Sequence, residues 1–327
     1  MHGVILAAGF GTRLWPLTQD RTKPAIPFLG KPLITYSVEY LASHRINDIT
    51  INLHHQPDSV RRAVGDGSQF GVRVRYSLEE EILGTSGALD RMRSWLIDDD
   101  FVVINGKLIT DIDLGAAIRA HKESGAIATL VLRENAARER FSIVGVDERS
   151  RVTGFGGFPD PGDSTSSPVP LMFTGIQVLS PRIFGYIPQD RFSHSTVDVY
   201  PQAIRAGETL LAYVSSDNWF ELSTLERYLA ASLAFMRKQR QSVTLGADCR
   251  VDPTSTVTDS VLWDRITIEP GASVRLAIIG DDVTIPRGAP IEKATVVRAN
   301  TVDPDKIERG EIVGDNLIVP LNINTNE

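Results

Sequence analysis

The sequence predicts a doubly wound α/β domain on a mostly parallel sheet, followed by a β-helix. Three observations carry that prediction. Short β-rich runs alternate with longer helix-like segments over residues 3–132, the pattern of an α/β unit. Beyond Ser142 the texture turns to hairpin-like strands. From Val243 onward, apolar residues recur at gaps near six, as in coils that bury one side chain per flat face. A length of 327 residues suits two domains, and 42% apolar with 23% charged residues is ordinary globular usage.

The first domain is expected over residues 1–240. Its candidate strands are Val4 to Ala7, Ile49 to Leu53, Val72 to Tyr76, Phe101 to Ile104 and Ile127 to Leu132. Between them Pro32 to Ser43, Pro57 to Val64, Ser86 to Leu96 and Leu114 to Ser124 carry helical spacing, with Asp113 placed to cap the last. A hairpin over Ile143 to Val146 and Val152 to Phe155 leads into a Pro/Gly/Ser-rich stretch, Gly156 to Pro170, which predicts a surface loop. Leu171 to Leu179 then suggests a buried strand and Leu225 to Arg240 a closing amphipathic helix.

The second domain is expected over residues 243–327. Val251, Val257, Val261, Ile268, Val274, Ile278, Val283, Ile285, Ile291 and Val296 mark the repeat. Asp252-Pro253, Pro270-Gly271, Gly280-Asp281 and Arg287-Gly288 supply its turns. An ordinary small β-domain is the alternative reading of the same short strands. The last histidine is His194, so these coils offer no general base of that type, which argues against acyl transfer and for packing and oligomerisation.

Charge and cysteine content exclude several classes. Lysine plus arginine number 34 against 41 aspartate plus glutamate, a net charge of −7, which gives no support to nucleic-acid or anionic-membrane binding. Cys249 is the only cysteine, so no intrachain disulfide forms. The first residues have no basic and apolar leader pattern, and no apolar run approaches the ~18 residues of a spanning helix, so a cytoplasmic protein is expected.

The segment Leu6-Ala7-Ala8-Gly9-Phe10-Gly11-Thr12-Arg13 follows the first strand and precedes Thr22-Lys23-Pro24. Gly9 and Gly11 let backbone amides approach phosphate oxygens, while Thr12 and Arg13 add hydroxyl and guanidinium donors. Residues 1–45 hold five basic side chains against two acidic ones, a local excess within an acidic chain. The loop is neither a Walker loop nor a dinucleotide fingerprint, since no Gly-Lys-Ser/Thr follows and position 14 is Leu.

This run resembles the signature loop of the sugar-1-phosphate nucleotidyltransferases, in particular their mannose-1-phosphate guanylyltransferase-like branch, a resemblance that implies a left-handed β-helix for the tail. Four later blocks agree in order: Leu83-Gly84-Thr85-Ser86-Gly87, Asn105-Gly106 with Thr110-Asp111, Phe173-Thr174-Gly175-Ile176, and Trp219 to Leu229. The resemblance implies a nucleotide site formed by Leu6, Ala7, Ala8, Gly9, Gly11, Thr12, Arg13, Lys23, Gly84, Thr85 and Gly106. Arg13 and Lys23 are the implied catalytic cations, and Thr174 and Gly175 the implied sugar contacts. Its reaction is nucleotidyl transfer from a nucleoside triphosphate to a sugar-1-phosphate, giving a nucleotide sugar and pyrophosphate, with Mg²⁺ as cofactor.

Three positions depart from the family pattern. Lys107 stands where a metal-binding aspartate follows glycine, Glu221 replaces an aspartate of the closing motif, and Phe158 takes the place of a sugar-phosphate lysine. A dication wants oxygen ligands, which an ammonium opposes. Glu221 could still ligate through its longer arm. Asp111 could act as a substitute ligand or as a turn and capping residue before the helix at Leu114. His54-His55 sit at a strand end, where neighbours point to opposite faces, so a two-histidine metal site is not expected; Glu79 to Glu81 are expected to be a solvated run, although the family resemblance places them near the nucleoside. Together the three departures suggest relaxed or lost catalysis. The chain would then be either an impaired transferase or a nucleotide-sugar-binding regulatory or assembly subunit, forming a homo-oligomer or pairing with an active paralogue.

Overall fold

Val4 and Ile5 have no exposed surface in the first strand, β1 (His2–Leu6), as the near-continuous apolar run of a central parallel strand requires. A computed structural model describes residues 1–160, 168–307 and 309–323. Contacts divide the chain into two compact units that do not follow chain order: Met1–Gly9 with Ile34–Trp219, and Phe10–Leu33 with Phe220–Glu327. Residues 10–33 therefore group with the C-terminal part, whereas the sequence suggests one division near residue 240. Ring packing is the reason. Phe28 meets Tyr228 at 6.0 Å and Phe235 at 5.5 Å between centroids, both edge-on.

The first unit is built on a seven-stranded sheet. Its strands are β1, β2 (Asp48–Leu53), β3 (Arg73–Leu78), β4 (Phe101–Asn105), β5 (Ala128–Glu134), β6 (Leu171–Leu179) and β7 (Leu210–Val214). They lie in the order β7-β5-β6-β4-β1-β2-β3. All pairs are parallel except those of β6, which runs antiparallel to both β4 and β5. Chain direction across the sheet reverses at β1, which pairs β2 on one side and β4 on the other. In open α/β sheets such a switch leaves a crevice outside the strand's carboxyl end. Leu6 to Gly9 start there.

Helices Pro57–Val64 and Leu114–Ser124 form where the spacing predicts them, and the Asp113 carboxylate caps the latter by accepting from the Ala116 amide at 2.9 Å. The helix expected over Ser86 to Leu96 is instead two, Gly84–Arg91 and Arg93–Leu96, broken at Met92. The hairpin Val144–Val146 with Val152–Phe155 is antiparallel as expected. Most of the loop expected after Gly156 falls on residues 161–167, outside the described residues.

The second unit contains helix Leu225–Lys238 and then three parallel faces of a β-helix. Strands of successive coils pair in parallel, Val243 with Ser260, Arg250 with Thr267 and Thr256 with Ser273, so one coil takes 17 residues. The period of six read from sequence is thus one face of a coil, with one residue dropped. Corners repeat at the same interval. Asp248, Arg265 and Asp282 share the left-handed backbone region, as do Asp259, Leu276 and Lys293. Ile268, Val274, Ile278, Ile285 and Val296 fill the interior. Val251 does not, being 38% exposed on an edge strand.

His121 supplies a test of core electrostatics. Its ring bonds to the Thr129 hydroxyl at 2.8 Å, and burial pushes its pKa below 6.5 despite Asp100 at 3.7 Å. The unfolded chain therefore takes up that proton first, and folding stability should fall as pH drops below about 6.5. Denaturant melts between pH 7.5 and 5 should show a shallower decline for His121→Asn than for the unaltered protein.

Candidate functional site

The strand ends at the switch point are tied by a directional polar relay. The Ala7 amide donates to Asn52 Oδ1 at 2.7 Å, Asn52 Nδ2 donates to Glu79 Oε1 at 2.7 Å, and the Leu83 amide donates to Glu79 Oε2 at 3.0 Å. Glu79 is 2% exposed, so it is not part of a solvated run as its charge suggests. The same carboxylate fixes the turn ahead of Gly84. The reading of Glu79 as solvated failed because three adjacent carboxylates look alike until the fold buries one.

Gly84 follows that turn at φ 75°, where a Cβ would lie 2.4 Å from the Ser193 carbonyl oxygen. Only glycine fits so close to backbone. The Ser193 carbonyl accepts from the Ser86 amide at 3.1 Å, the two serine hydroxyls bond at 2.8 Å, and Thr85 Oγ1 accepts from the Ser195 amide at 2.9 Å. Residues 193–195 thus brace the Gly84 motif, with a π-helical turn over Ser195–Val199 and the His194 ring beside them. Sequence reasoning missed this support; its one visible signal is the polar cluster Ser193-His194-Ser195.

Gly106 lies beside β1, its amide donating to the Leu6 carbonyl at 2.9 Å. Leu6, Ala7, Gly84, Thr85 and Gly106 therefore belong to one unit around the β1 end, with Ala8 buried and Gly9 exposed. In β6 the pairing with β5 shifts register between Phe173 and Gln177, a bulge centred on Thr174 and Gly175. Thr174 is buried and its hydroxyl donates to the Val131 carbonyl at 2.7 Å, so its side chain is engaged in the sheet. Its carbonyl takes the Trp219 indole N–H at 3.0 Å.

Gly11, Thr12, Arg13 and Lys23 lie in the other unit. Gly11 adopts φ 70°, and a Cβ there would stand 3.0 Å from Lys23 Cβ and 3.2 Å from Thr18 Cγ2. The signature loop and Lys23 are consequently in van der Waals register. Thr12–Leu14 forms one 3₁₀ turn, anchored by fully buried Leu14, and leaves Arg13 exposed.

The carboxylates considered for a metal are engaged by protein donors. Asp111 accepts from both the Asn218 amide at 2.8 Å and Asn218 Nδ2 at 2.6 Å. Glu221, 6% exposed, pairs with Arg227 at 3.4 Å. Lys107 brings an ammonium to the turn after Gly106. Among the described residues no group of three or more His, Cys, Asp or Glu side chains is placed to hold a metal ion. This donor set does not fit a protein-held Mg²⁺. Phe158 is 54% exposed, and the Arg140 guanidinium stacks on its ring at 4.8 Å. A cation therefore returns beside the position that lacks lysine.

Comparison with known proteins agrees with the motifs. A family described as nucleotidyl transferase matches residues 2–238, and one described as the GlmU-like C-terminal hexapeptide matches residues 230–301. The chain is 30% identical over 284 residues to a UTP–glucose-1-phosphate uridylyltransferase of Synechocystis, covering 82% of this chain and 72% of that protein. It is 28% identical over 238 residues to a mannose-1-phosphate guanylyltransferase of Mycobacterium tuberculosis, covering 72% of this chain and 65% of that protein. The crystal structure of HddC from Yersinia pseudotuberculosis complexed with GMP-PN shares the fold, with TM-score 0.61 and 24% identity over 72% of this chain and all of that one. No helix among the described residues is long and apolar enough to cross a membrane.

Replacing Glu79 tests the relay. Glu79→Ala leaves the buried Asn52 amide and the partly buried Leu83 N–H without an acceptor, at about 1–3 kcal/mol for a fully buried group and less for the other. Equilibrium urea unfolding should register a loss of about 2–4 kcal/mol, and amide exchange at Leu83 to Ser86 should accelerate.

Proposed function

Because the chain belongs to the sugar-1-phosphate nucleotidyltransferase family, we propose that it retains the nucleotide and sugar-phosphate sites but transfers nucleotide slowly. The observation that carries this reading is the close packing of Gly11 on Lys23, which keeps the anion-binding loop and its lysine as one element. Leu6, Ala7, Gly84 and Gly106 then face the nucleoside, Gly9, Gly11, Thr12, Arg13 and Lys23 the phosphates, and Gly175 the sugar. Residues 1–240 and 243–327 are taken as the transferase and β-helix domains.

In the reaction a sugar-phosphate oxygen attacks the α-phosphorus of the triphosphate as the bond to the bridging oxygen breaks and pyrophosphate leaves. Positioning and charge neutralisation do most of this chemistry. Arg13 and Lys23 hold the polyphosphate while negative charge moves to the leaving group. The Lys107 ammonium opposes a metal ion at the turn after Gly106, and Arg140, stacked on Phe158, stands in for a phosphate lysine. Loss of one charge-stabilising group costs about 10²- to 10³-fold, by analogy with oxyanion-hole donors. No step is assigned to a bound metal.

A second reading, an assembly subunit that binds the nucleotide sugar and joins another copy or an active paralogue, is favoured by the β-helix edge strand Glu311–Val313. Ile312 and Val313 are each 50% exposed there. Light scattering of the intact chain separates a monomer from such an assembly.

Nucleotide at ~100 times its dissociation constant should stabilise the fold by about 2.7 kcal/mol. Calorimetric melting with GTP, UTP and dTTP should show that increase with at least one of them, and Arg13→Ala should remove most of it. Pyrophosphate release with Mg²⁺ should be slow in the unaltered protein. It should rise more in the triple variant Lys107→Asp, Phe158→Lys, Glu221→Asp than the three singles combined predict. Rapid release by the unaltered protein would overturn the slow-transfer reading, and the absence of saturable nucleotide binding would overturn the retained site.

A further inference from the structure

The second unit holds a polar concavity of about 330 Å³ between residues 16–21 and the β-helix coils, lined by none of the signature-loop residues Gly9 to Arg13 and not by Lys23. Its walls carry three arginines, Arg21, Arg265 and Arg298, and three aspartates, Asp20, Asp281 and Asp282. The aspartates are already engaged. Asp20 takes Arg21 Nε and Nη2, both at 2.9 Å, and Asp282 takes Arg265 Nε and Nη2 at 2.7 and 2.9 Å. Asp281 accepts from Arg21 Nη2 at 2.7 Å and from the Asp264 amide at 3.0 Å.

Those pairings orient the guanidinium forks and leave donors over. Among the described residues, no hydrogen bond uses Nη1 of Arg21 or any side-chain nitrogen of Arg298, while Nη1 of Arg265 faces the Asp264 carboxylate at 3.9 Å. Arg21 is further fixed by stacking on Trp263 at 5.1 Å, and the Trp263 indole donates to the Tyr228 hydroxyl at 3.0 Å. Its carboxylate partners hold the Arg21 guanidinium charged at any working pH, raising its pKa despite partial burial. The rim adds the amide of Asn300 and the hydroxyl of Thr301.

We propose that this concavity is a binding site for a small phosphate monoester. Planar guanidinium forks held in place match the oxygens of a phosphate group, which a flexible lysine site would not do as selectively. A volume of about 330 Å³ exceeds what a bare phosphate needs and suits a phosphorylated small molecule. The lining is charge-balanced, so directional N–H donors from Arg298 and from Nη1 of Arg21 provide recognition. Arg21 lies two residues before Lys23, so an occupant bonds directly to the segment that bears the signature-loop lysine. The site stands apart from the proposed transfer reaction and does not depend on it.

Isothermal titration of the intact protein with glycerol 2-phosphate tests the site, with glycerol as the uncharged control. Arg13→Ala, which weakens the nucleotide site, should leave this binding within about twofold. Arg298→Ala and Arg298→Gln should each weaken it at least tenfold while leaving the melting temperature of the free protein unchanged. Binding that vanishes in Arg13→Ala, that persists undiminished in both Arg298 variants, or that is no stronger for glycerol 2-phosphate than for glycerol would overturn the proposal.

Discussion

Buried inside the first unit, the Glu79 carboxylate joins three segments that have no covalent reason to meet: the end of β1 through Asn52, the end of β2, and the turn before Gly84. The bonds converge on Glu79, which accepts from Asn52 on one side and from the Leu83 amide on the other, so neither Asn52 nor Glu79 can rotate without leaving a polar group unpaired. Such a network holds one arrangement far below its alternatives. The rest of the Gly84 motif depends on it, since Gly84 can lie against the Ser193 carbonyl only if the preceding turn is fixed. A charged side chain thus sets backbone geometry at a strand end where a loop alone would be soft.

The β-helix achieves order by another route. Each coil places a strand 17 residues after its predecessor, and the corners recur in the same left-handed conformation although their residues differ. Parallel ladders impose this register once one coil has formed, because the next coil must satisfy the exposed amides and carbonyls of the last. Charged corner residues add pairing between coils, as Arg265 with Asp282 and Arg275 with Glu292. Exposed pairs of this type contribute little energy by themselves, but they orient the arginines. In the concavity beside Trp263 that orientation gives a polar wall fixed donors.

The acids considered as metal ligands are held by their surroundings. Asp111 turns toward Asn218 instead of standing open, and Glu221 pairs with Arg227. Each acid is satisfied by protein donors within its own unit. An acid so placed stabilises local structure at the expense of ligating ability, since a metal would have to displace both hydrogen bonds. Arg140 has the opposite character, a cation stacked on the aromatic face of Phe158.

The sequence by itself determined the architecture and the signature loop. Strand-length apolar runs, helical spacing and the Gly9 to Arg13 run are local patterns, and local patterns survive into the fold because backbone periodicity dictates them. It also located the substitutions at Lys107, Phe158 and Glu221, which are matters of residue identity. Tertiary structure alone decided the rest. It buried Glu79 but not its neighbours, brought Ser193 to Ser195 onto the Gly84 motif, engaged the Thr174 hydroxyl in the sheet, and divided the chain so that residues 10–33 pack with the C-terminal part. Each of these joins residues far apart along the chain through a few hydrogen bonds or ring contacts. Such a contact leaves no periodic trace in either partner, because its requirement is a complementary group at one point in space.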